Sequence, residues 1–287
     1  MEECRRIQEV AGGCRVVIVC ATSMEAEPVI EAMALSRHMS VRTKQVTAGE
    51  LAVAGEAQMT APMRVAVAIS GCDKANAAHI LTCLLQAMEP TPALVLQAGI
   101  AGALPAVGQG GGAHPGDVVL ATKEIYADTG SSSPGGWLSA SELGLSIARV
   151  GEHEFGNTFE LDPRLVGAAA SLLRHAWTES SSPRVVSGPC VTVSRISGLR
   201  SEGEELARRW GALAESMEGA AAAHICALYR VPFLEIRGIS NMVVDRDRAS
   251  WKVEEAVAAA CKATLAICRG FDSLPLSRRH EGNERLV

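Results

Sequence analysis

Ser216-Met217-Glu218-Gly219-Ala220-Ala221-Ala222-Ala223-His224 opens a run of small residues, and Arg237-Gly238-Ile239-Ser240-Asn241 closes an apolar run further on. The first stretch reads as a helix over 217–229 whose small side chains let it press closely on a sheet. The second reads as a strand over 232–239, buried on both faces and ending in a polar amide. A helix feeding a buried strand is the repeating unit of a parallel α/β sheet. The same alternation extends outward along the chain. Strands are expected over 15–20, 64–70, 93–97, 117–122, 184–186 and 191–193, and helices over 24–35, 74–88, 162–175, 199–210 and 253–271. Asp162-Pro163 supplies a cap followed by proline at the first helical position. The alternation predicts an α/β fold: a three-layer α/β/α sandwich with a mostly parallel, twisted central sheet. One domain is expected over residues 14–271, with an N-terminal extension at 1–13 and a disordered tail at 274–287.

Composition narrows the function. The chain has 287 residues, 48% of them apolar and only 3% aromatic, with a net charge of −5. Few rings and no basic stripe argue against nucleic acid as a partner. The nine cysteines form no CxxC pair and no zinc-like spacing with histidine, so neither metal nor cofactor is expected, and reduced thiols in a cytoplasmic protein are. The opening MEECRRIQEV lacks the apolar core of a signal peptide, and no apolar run reaches the roughly 20 residues of a membrane span. The glycine loop GQGGG at 108–112 precedes a strand, so it is read as a surface loop and not as a dinucleotide fingerprint.

In open α/β sheets ligands bind beyond the carboxyl ends of the strands. The polar residues gather at those places: Thr22-Ser23-Met24-Glu25-Ala26-Glu27, Ser70-Gly71-Cys72-Asp73-Lys74, Gly99-Ile100-Ala101-Gly102 and Ser240-Asn241. Glu218 falls in the first turn of its helix, where the dipole favours a carboxylate. An ionised carboxylate only accepts hydrogen bonds, which suits a vicinal diol. The bland alternatives are a solvated capping acid for Glu218 and a strand-end cap for Asn241.

In order and spacing, SG-x-x-K (Ser70, Gly71, Lys74), AG-x-AG-x-L (98–104), PGD (115–117), SG-x-x-V (187–191), SMEGAA-x-AH (216–224) and RGISN (237–241) resemble the nucleoside phosphorylase/nucleosidase superfamily. Within it, RGISN-x-V-x-x-RDR-x-x-W is most similar to futalosine hydrolases. The resemblance implies a nucleoside phosphorylase-like fold and cleavage of an N-glycosidic bond. It implies that Met217 and Glu218 hold the ribose, that Ala101 and Gly102 line sugar and base, and that the backbone at Val191 contacts the base. Adenosine-type nucleosidases usually carry an aromatic residue at the Val191 position.

The resemblance further implies that Glu27 activates water, with Glu25 and Glu31 as solvated helix-face acids, and that Ser240 supports that base. Trp251 matches an aromatic on a loop that closes over the purine; ordinary packing at a helix start is the alternative. No arginine stands in the loop at 22–27, where phosphorylases of the family bind phosphate, which favours hydrolysis. Asn241 stands where methylthioadenosine/S-adenosylhomocysteine nucleosidases carry Asp. An amide has both a donor and an acceptor, which fits a 6-oxopurine. The implied reaction releases hypoxanthine from futalosine in menaquinone biosynthesis. Arg195, Arg246 and Arg248 are candidates for the substrate's 5′ carboxylate, and Arg237 for an internal ion pair. The resemblance also matches the Tyr126-Ala127-Asp128 turn and the loop after it to a region that often completes a neighbouring subunit's pocket, which implies a homo-oligomer, a dimer or higher. The alternatives are a methylthioadenosine, S-adenosylhomocysteine or aminofutalosine nucleosidase, a purine nucleoside phosphorylase, and a silent nucleoside-binding or storage protein.

Overall fold

The computed structural model describes residues 1–52, 61–106, 111–179 and 182–276. In chain order they form α1 (Glu2–Ala11), β1 (Val16–Cys20), α2 (Ser23–Glu31), β2 (Ala34–Val41), β3 (Lys44–Leu51), β4 (Met63–Ile69), α3 (Lys74–Ala87), β5 (Leu94–Ala103) and β6 (Val118–Tyr126). Short strands follow: β7 (Gly130–Ser133), β8 (Gly136–Ser139), β9 (Ala148–Val150), β10 (His153–Phe155) and β11 (Thr158–Glu160). The chain continues with α4 (Pro163–Ala176), β12 (Val185–Thr192), α5 (Arg200–Trp210), β13 (Ala214–Ser216), α6 (Gly219–Tyr229), β14 (Phe233–Met242) and α7 (Val253–Arg269).

The result is an α/β sandwich around one mixed sheet. β1 is buried at every position and pairs in parallel with β4 and β5, as its unbroken apolar sequence requires. Helices α1, α3 and α6 contact one another in series, and α2, α7 and α4 do the same, which gives the two outer layers. The edges are antiparallel: β2 pairs with β3, β3 with β4, and β11 with β6. β14 runs parallel to β5 and also pairs antiparallel with β6 at Ile236–Gly238. With β12 and β13 these strands close a ring, β5-β14-β6-β12-β13.

Two expected elements change. The helix expected over 24–35 stops at Glu31, and Ala34 begins a hairpin strand. Leu35, taken as its last apolar position, is exposed, so burial gave no reason to extend the helix. The segments 184–186 and 191–193 belong to a single strand with a bulge between Gly188 and Cys190. The N-terminal stretch is a helix whose Ile7 and Ala11 are buried in the main core. At the other end, Leu274 is buried and Leu276 packs against the same core, whereas 277–287 lie outside the described residues, as do 107–110 of the glycine loop.

Candidate active site

The carboxyl ends of β1, β5 and β14 and the Ser216–Glu218 segment surround a cavity of about 210 Å³. Its wall includes Ala101, Gly102, Met217, Glu218, Ser240, Asn241 and Trp251, so seven residues singled out from the sequence meet in one place. Ser216 Oγ, in the same wall, is buried without a partner. A second cleft around Phe155, Phe159, Leu165 and Phe233 opens at the start of β14, away from these groups.

The acid of the first strand–helix loop is not the one expected. Glu27 is exposed and lies outside the cavity, while Glu25 is buried and lines it. Helix phase is the cause. Thr22 is the N-cap of α2 and Glu25 is N3 of a capping box, which turns its carboxylate back toward the end of β1. Two residues further is roughly 200° around the helix, which points Glu27 at solvent. The Thr22-x-x-Glu25 spacing was itself the readable signal. Glu25 Oε2 accepts from Thr22 N–H and Thr22 Oγ1, both at 2.9 Å, and Oε1 accepts from Ile100 N–H at 2.9 Å. A carboxylate offers about four acceptor sites, so one remains for a proton donor in the cavity.

Glu218 is nine-tenths or more buried and is held from two sides. Asp73 N–H donates to Oε1 at 3.2 Å, and Arg237 Nη2 donates to Oε2 at 3.3 Å. Asp73 adopts φ +84°, a conformation uncommon for a residue with a side chain, and it caps α3 while aiming its own N–H at Glu218. Burial pushes the Glu218 carboxyl up from its ordinary pKa, and the Arg237 guanidinium opposes the rise.

Arg237 is the expected internal ion-pair partner. It donates from Nε to Glu235 Oε1 at 2.6 Å and from Nη1 to Ile100 O at 3.2 Å. Burial alone would favour its neutral form, but Glu235 and Glu218 keep it charged. Ile100 therefore couples both acids, giving its N–H to Glu25 and its carbonyl to Arg237.

Behind this arginine lies a second carboxyl pair. Glu124 Oε2 accepts from Thr192 Oγ1 at 2.7 Å, and Thr192 Oγ1 accepts from Ala220 N–H at the start of α6. Glu124 Oε1 and Glu235 Oε2 have no N–H or O–H donor, and both carboxyls crowd the same point beside Gly219. One proton between them satisfies both. Burial, followed by Glu235, pushes Glu124 well above the usual carboxylate range, and Glu235 already accepts from Arg237 Nε at 2.6 Å, so a shared proton is favoured on Glu124. Gly219 makes the pair possible: a Cβ there would lie 2.4 Å from Glu235 Oε2 and 2.5 Å from Glu124 Cδ.

At the end of β14 the register with β5 slips between Ile239 and Asn241. Such bulges re-aim side chains beside functional sites. Ser240 Oγ lies 2.7 Å from Asn241 Oδ1 and 3.2 Å from Ala101 O. Ser240 therefore steadies Asn241 and not the water-activating acid assigned to it. Asn241 Nδ2 donates to Met242 O at 3.0 Å, which leaves one amide proton and one lone pair for a ligand. Val191 does not line the cavity. It is fully buried one residue before the end of β12, between Ile125 and Glu215 in a small apolar cluster, and Ile196 and Ser197 take the cavity wall instead. Glu215 also lines the cavity, buried, and its sequence gave no hint of it. Arg246 and Arg248 stack on the Trp251 ring, 5.1 and 6.0 Å from its centroid, whereas Arg195 is exposed and paired with Glu202. Among the described residues no group of three His, Cys, Asp or Glu side chains could hold a metal ion, and no helix is long and apolar enough to cross a membrane.

Buried acids beside a cavity can stabilise positive charge on a sugar, activate water and grip hydroxyls, while an adjacent amide grips a base. Known proteins agree with that chemistry. Residues 15–271 match the Phosphorylase superfamily. The chain is 35% identical to the futalosine hydrolase of Thermus thermophilus over 194 residues, which is 68% of this chain and 76% of that protein. Its fold is similar to that of the 5′-methylthioadenosine/S-adenosylhomocysteine nucleosidase of Neisseria meningitidis in complex with methylthio-immucillin-A, with a TM-score of 0.71 and 24% identity over 89% of this chain and 98% of the other. It is similar in the same way to the futalosine hydrolase of Helicobacter pylori strain 26695, with a TM-score of 0.70 and 18% identity over 91% of this chain and 99% of the other. The chain belongs to the phosphorylase superfamily, to its methylthioadenosine/S-adenosylhomocysteine-nucleosidase and futalosine-hydrolase type, and is an enzyme that hydrolyses the N-glycosidic bond of a purine nucleoside.

Proposed function

We propose that the nucleoside is futalosine, cleaved to hypoxanthine and dehypoxanthine futalosine in menaquinone biosynthesis. The observation that carries this reading is Asn241, an oriented amide in the cavity wall with one donor and one acceptor to spare. An amide cannot protonate N7 of an adenine, but it can donate to O6 and accept from N7–H of a 6-oxopurine. The futalosine hydrolase relative from Thermus thermophilus supports the same substrate.

In this reading Glu218 accepts hydrogen bonds from the ribose 2′ and 3′ hydroxyls. The C1′–N9 bond breaks with its electron pair passing to the base. The carboxylates of Glu218 and Glu25 stabilise the positive charge left on the sugar. Glu25, in the place first given to Glu27, takes a proton from the attacking water as its oxygen bonds to C1′, and that proton ends on the departing hypoxanthine. The 5′ carboxylate meets Arg246 or Arg248 beside Trp251, at the cavity wall.

The test is chromatographic release of base from futalosine, inosine, aminofutalosine and methylthioadenosine, with and without phosphate. Fast hypoxanthine release from futalosine, indifferent to phosphate, is expected. Faster adenine release from either 6-amino substrate would overturn the substrate assignment, and a phosphate-dependent rate would overturn hydrolysis.

A further inference from the structure

Glu215 is a buried carboxylate in the cavity wall that the steps above leave unused. Its place in the sheet gives it a purpose. Gly102 on β5 pairs with Glu215 of β13 on one side and with Asn241 of β14 on the other. Residues directly opposite each other on neighbouring strands project to the same face. A Cβ on Gly102 would lie 3.4 Å from Asn241 Nδ2, which confirms the shared face on that side. The nearest atom to that point is Val243 Cγ2 at 2.8 Å, so glycine gives the Val243 side chain room on this face, and Glu215, Asn241 and Val243 line the cavity together.

Glu215 is pre-aimed. Ser197 N–H donates to Oε1 at 2.9 Å, and Ser197 Oγ donates to Oε2 at 2.5 Å. Two bonds fill only half of the acceptor capacity of a carboxylate, and a buried one gains from every further donor. The purine edge that separates the two substrate classes is N1: 6-oxopurines carry N1–H, a donor, and 6-aminopurines carry a bare acceptor there.

We propose that Glu215 is a specificity-determining residue that accepts the N1–H of a 6-oxopurine, while Asn241 across Gly102 holds the O6/N7 edge. The inference rests on the 6-oxopurine reading of the cavity and supplies the second half of its recognition. A 6-aminopurine would set its N1 lone pair against the Glu215 carboxylate, and a site built around a hydrogen bond rejects a ligand that cannot make it.

The experiment is titration calorimetry of the full chain with hypoxanthine, 1-methylhypoxanthine and adenine, for the wild type, Glu215→Gln and Glu215→Ala. The wild type should prefer hypoxanthine to both other bases by about tenfold or more. Glu215→Gln can still accept from Ser197 N–H through its oxygen while turning an amide proton toward N1. The hypoxanthine-to-adenine ratio should therefore fall by about ten- to a hundredfold. Glu215→Ala removes both the acceptor and the obstacle to an N1 methyl group, so hypoxanthine and 1-methylhypoxanthine should bind alike. An unchanged hypoxanthine-to-adenine ratio in Glu215→Gln, or equal wild-type binding of hypoxanthine and its 1-methyl form, overturns the proposal. Futalosine turnover separates it from the substrate reading. If futalosine is cleaved but the ratio does not move, the role of Glu215 alone fails. If the ratio moves but futalosine is not cleaved, futalosine fails as the substrate and Glu215 stands.

Discussion

Glu25→Gln removes the only proton acceptor that the first strand–helix loop places in the cavity while keeping its size. It should lower kcat by about 10²- to 10⁴-fold with KM changed far less. Glu27→Gln, on the exposed side of α2, should leave kcat within about twofold. Steady-state kinetics of the two variants decide between the residues, and a Glu25→Gln enzyme of full rate would remove Glu25 from the mechanism. Glu218 carries a prediction in pH. In the proposed reaction it accepts from ribose hydroxyls as a carboxylate, and burial raises its pKa against the pull of Arg237. The acid limb of kcat/KM should therefore lie above the ordinary glutamate value of about 4.3, and a limb at or below that value would contradict the assignment. Motif reading brought Glu218, Asn241, Ser240, Gly102 and Trp251 to one cavity wall because each sits at a strand or helix end, where sequence position and spatial position agree. It set Glu27 in the cavity where the structure sets Glu25, because two glutamates two residues apart differ only in helix phase. That phase is set by the Thr22 cap. It missed Glu215 because β13 has only three residues, too few to show a period.

At the scale of elements, α2 and α6 are tied to chemistry by their first turns. Thr22→Ala removes the cap of α2 and a donor to Glu25 Oε2 together. It should cost about 0.5–2 kcal/mol in stability and also lower kcat. Thr22→Ser should restore both, and recovery of stability without rate would show that the hydroxyl does not position Glu25. Gly219, the first residue of α6, tests a conflict between propensity and packing. Helix propensity alone favours alanine over glycine by about 1 kcal/mol. Here the added Cβ would lie 2.4 Å from one buried carboxylate oxygen, and overpacking of that kind costs about 1–3 kcal/mol. Gly219→Ala should therefore lower the thermal unfolding midpoint, and a raised midpoint would refute the close approach. The hairpin β2–β3 was illegible for a related reason: most of β2 is exposed, so no alternation of buried and solvent-facing apolar residues marks it.

At the scale of the whole molecule, alternation of apolar runs and helical stretches was enough to read the sandwich, because each α/β unit is local. Closure of the ring by β14 against β6 was not, since it joins segments more than a hundred residues apart. That closure places Glu124 of β6 beside Glu235 of β14, and it carries a consequence for stability. An unfolded chain releases the Glu124 proton near pH 4.3, whereas the folded protein keeps it far higher because burial and Glu235 oppose ionisation. Between those two values the folded state binds one more proton than the unfolded state. Folding stability from this group therefore falls as pH rises, by up to about 1.4 kcal/mol per pH unit. Glu124→Gln keeps a donor toward Glu235 and has nothing to titrate. Its unfolding free energy, followed against pH beside that of the wild type, should gain steadily on the wild type above about pH 4.3 and stop gaining once the folded Glu124 ionises. A difference between the two proteins that stays constant from acid to neutral pH would mean that Glu124 is already ionised in the fold and that the proton between the two acids does not exist.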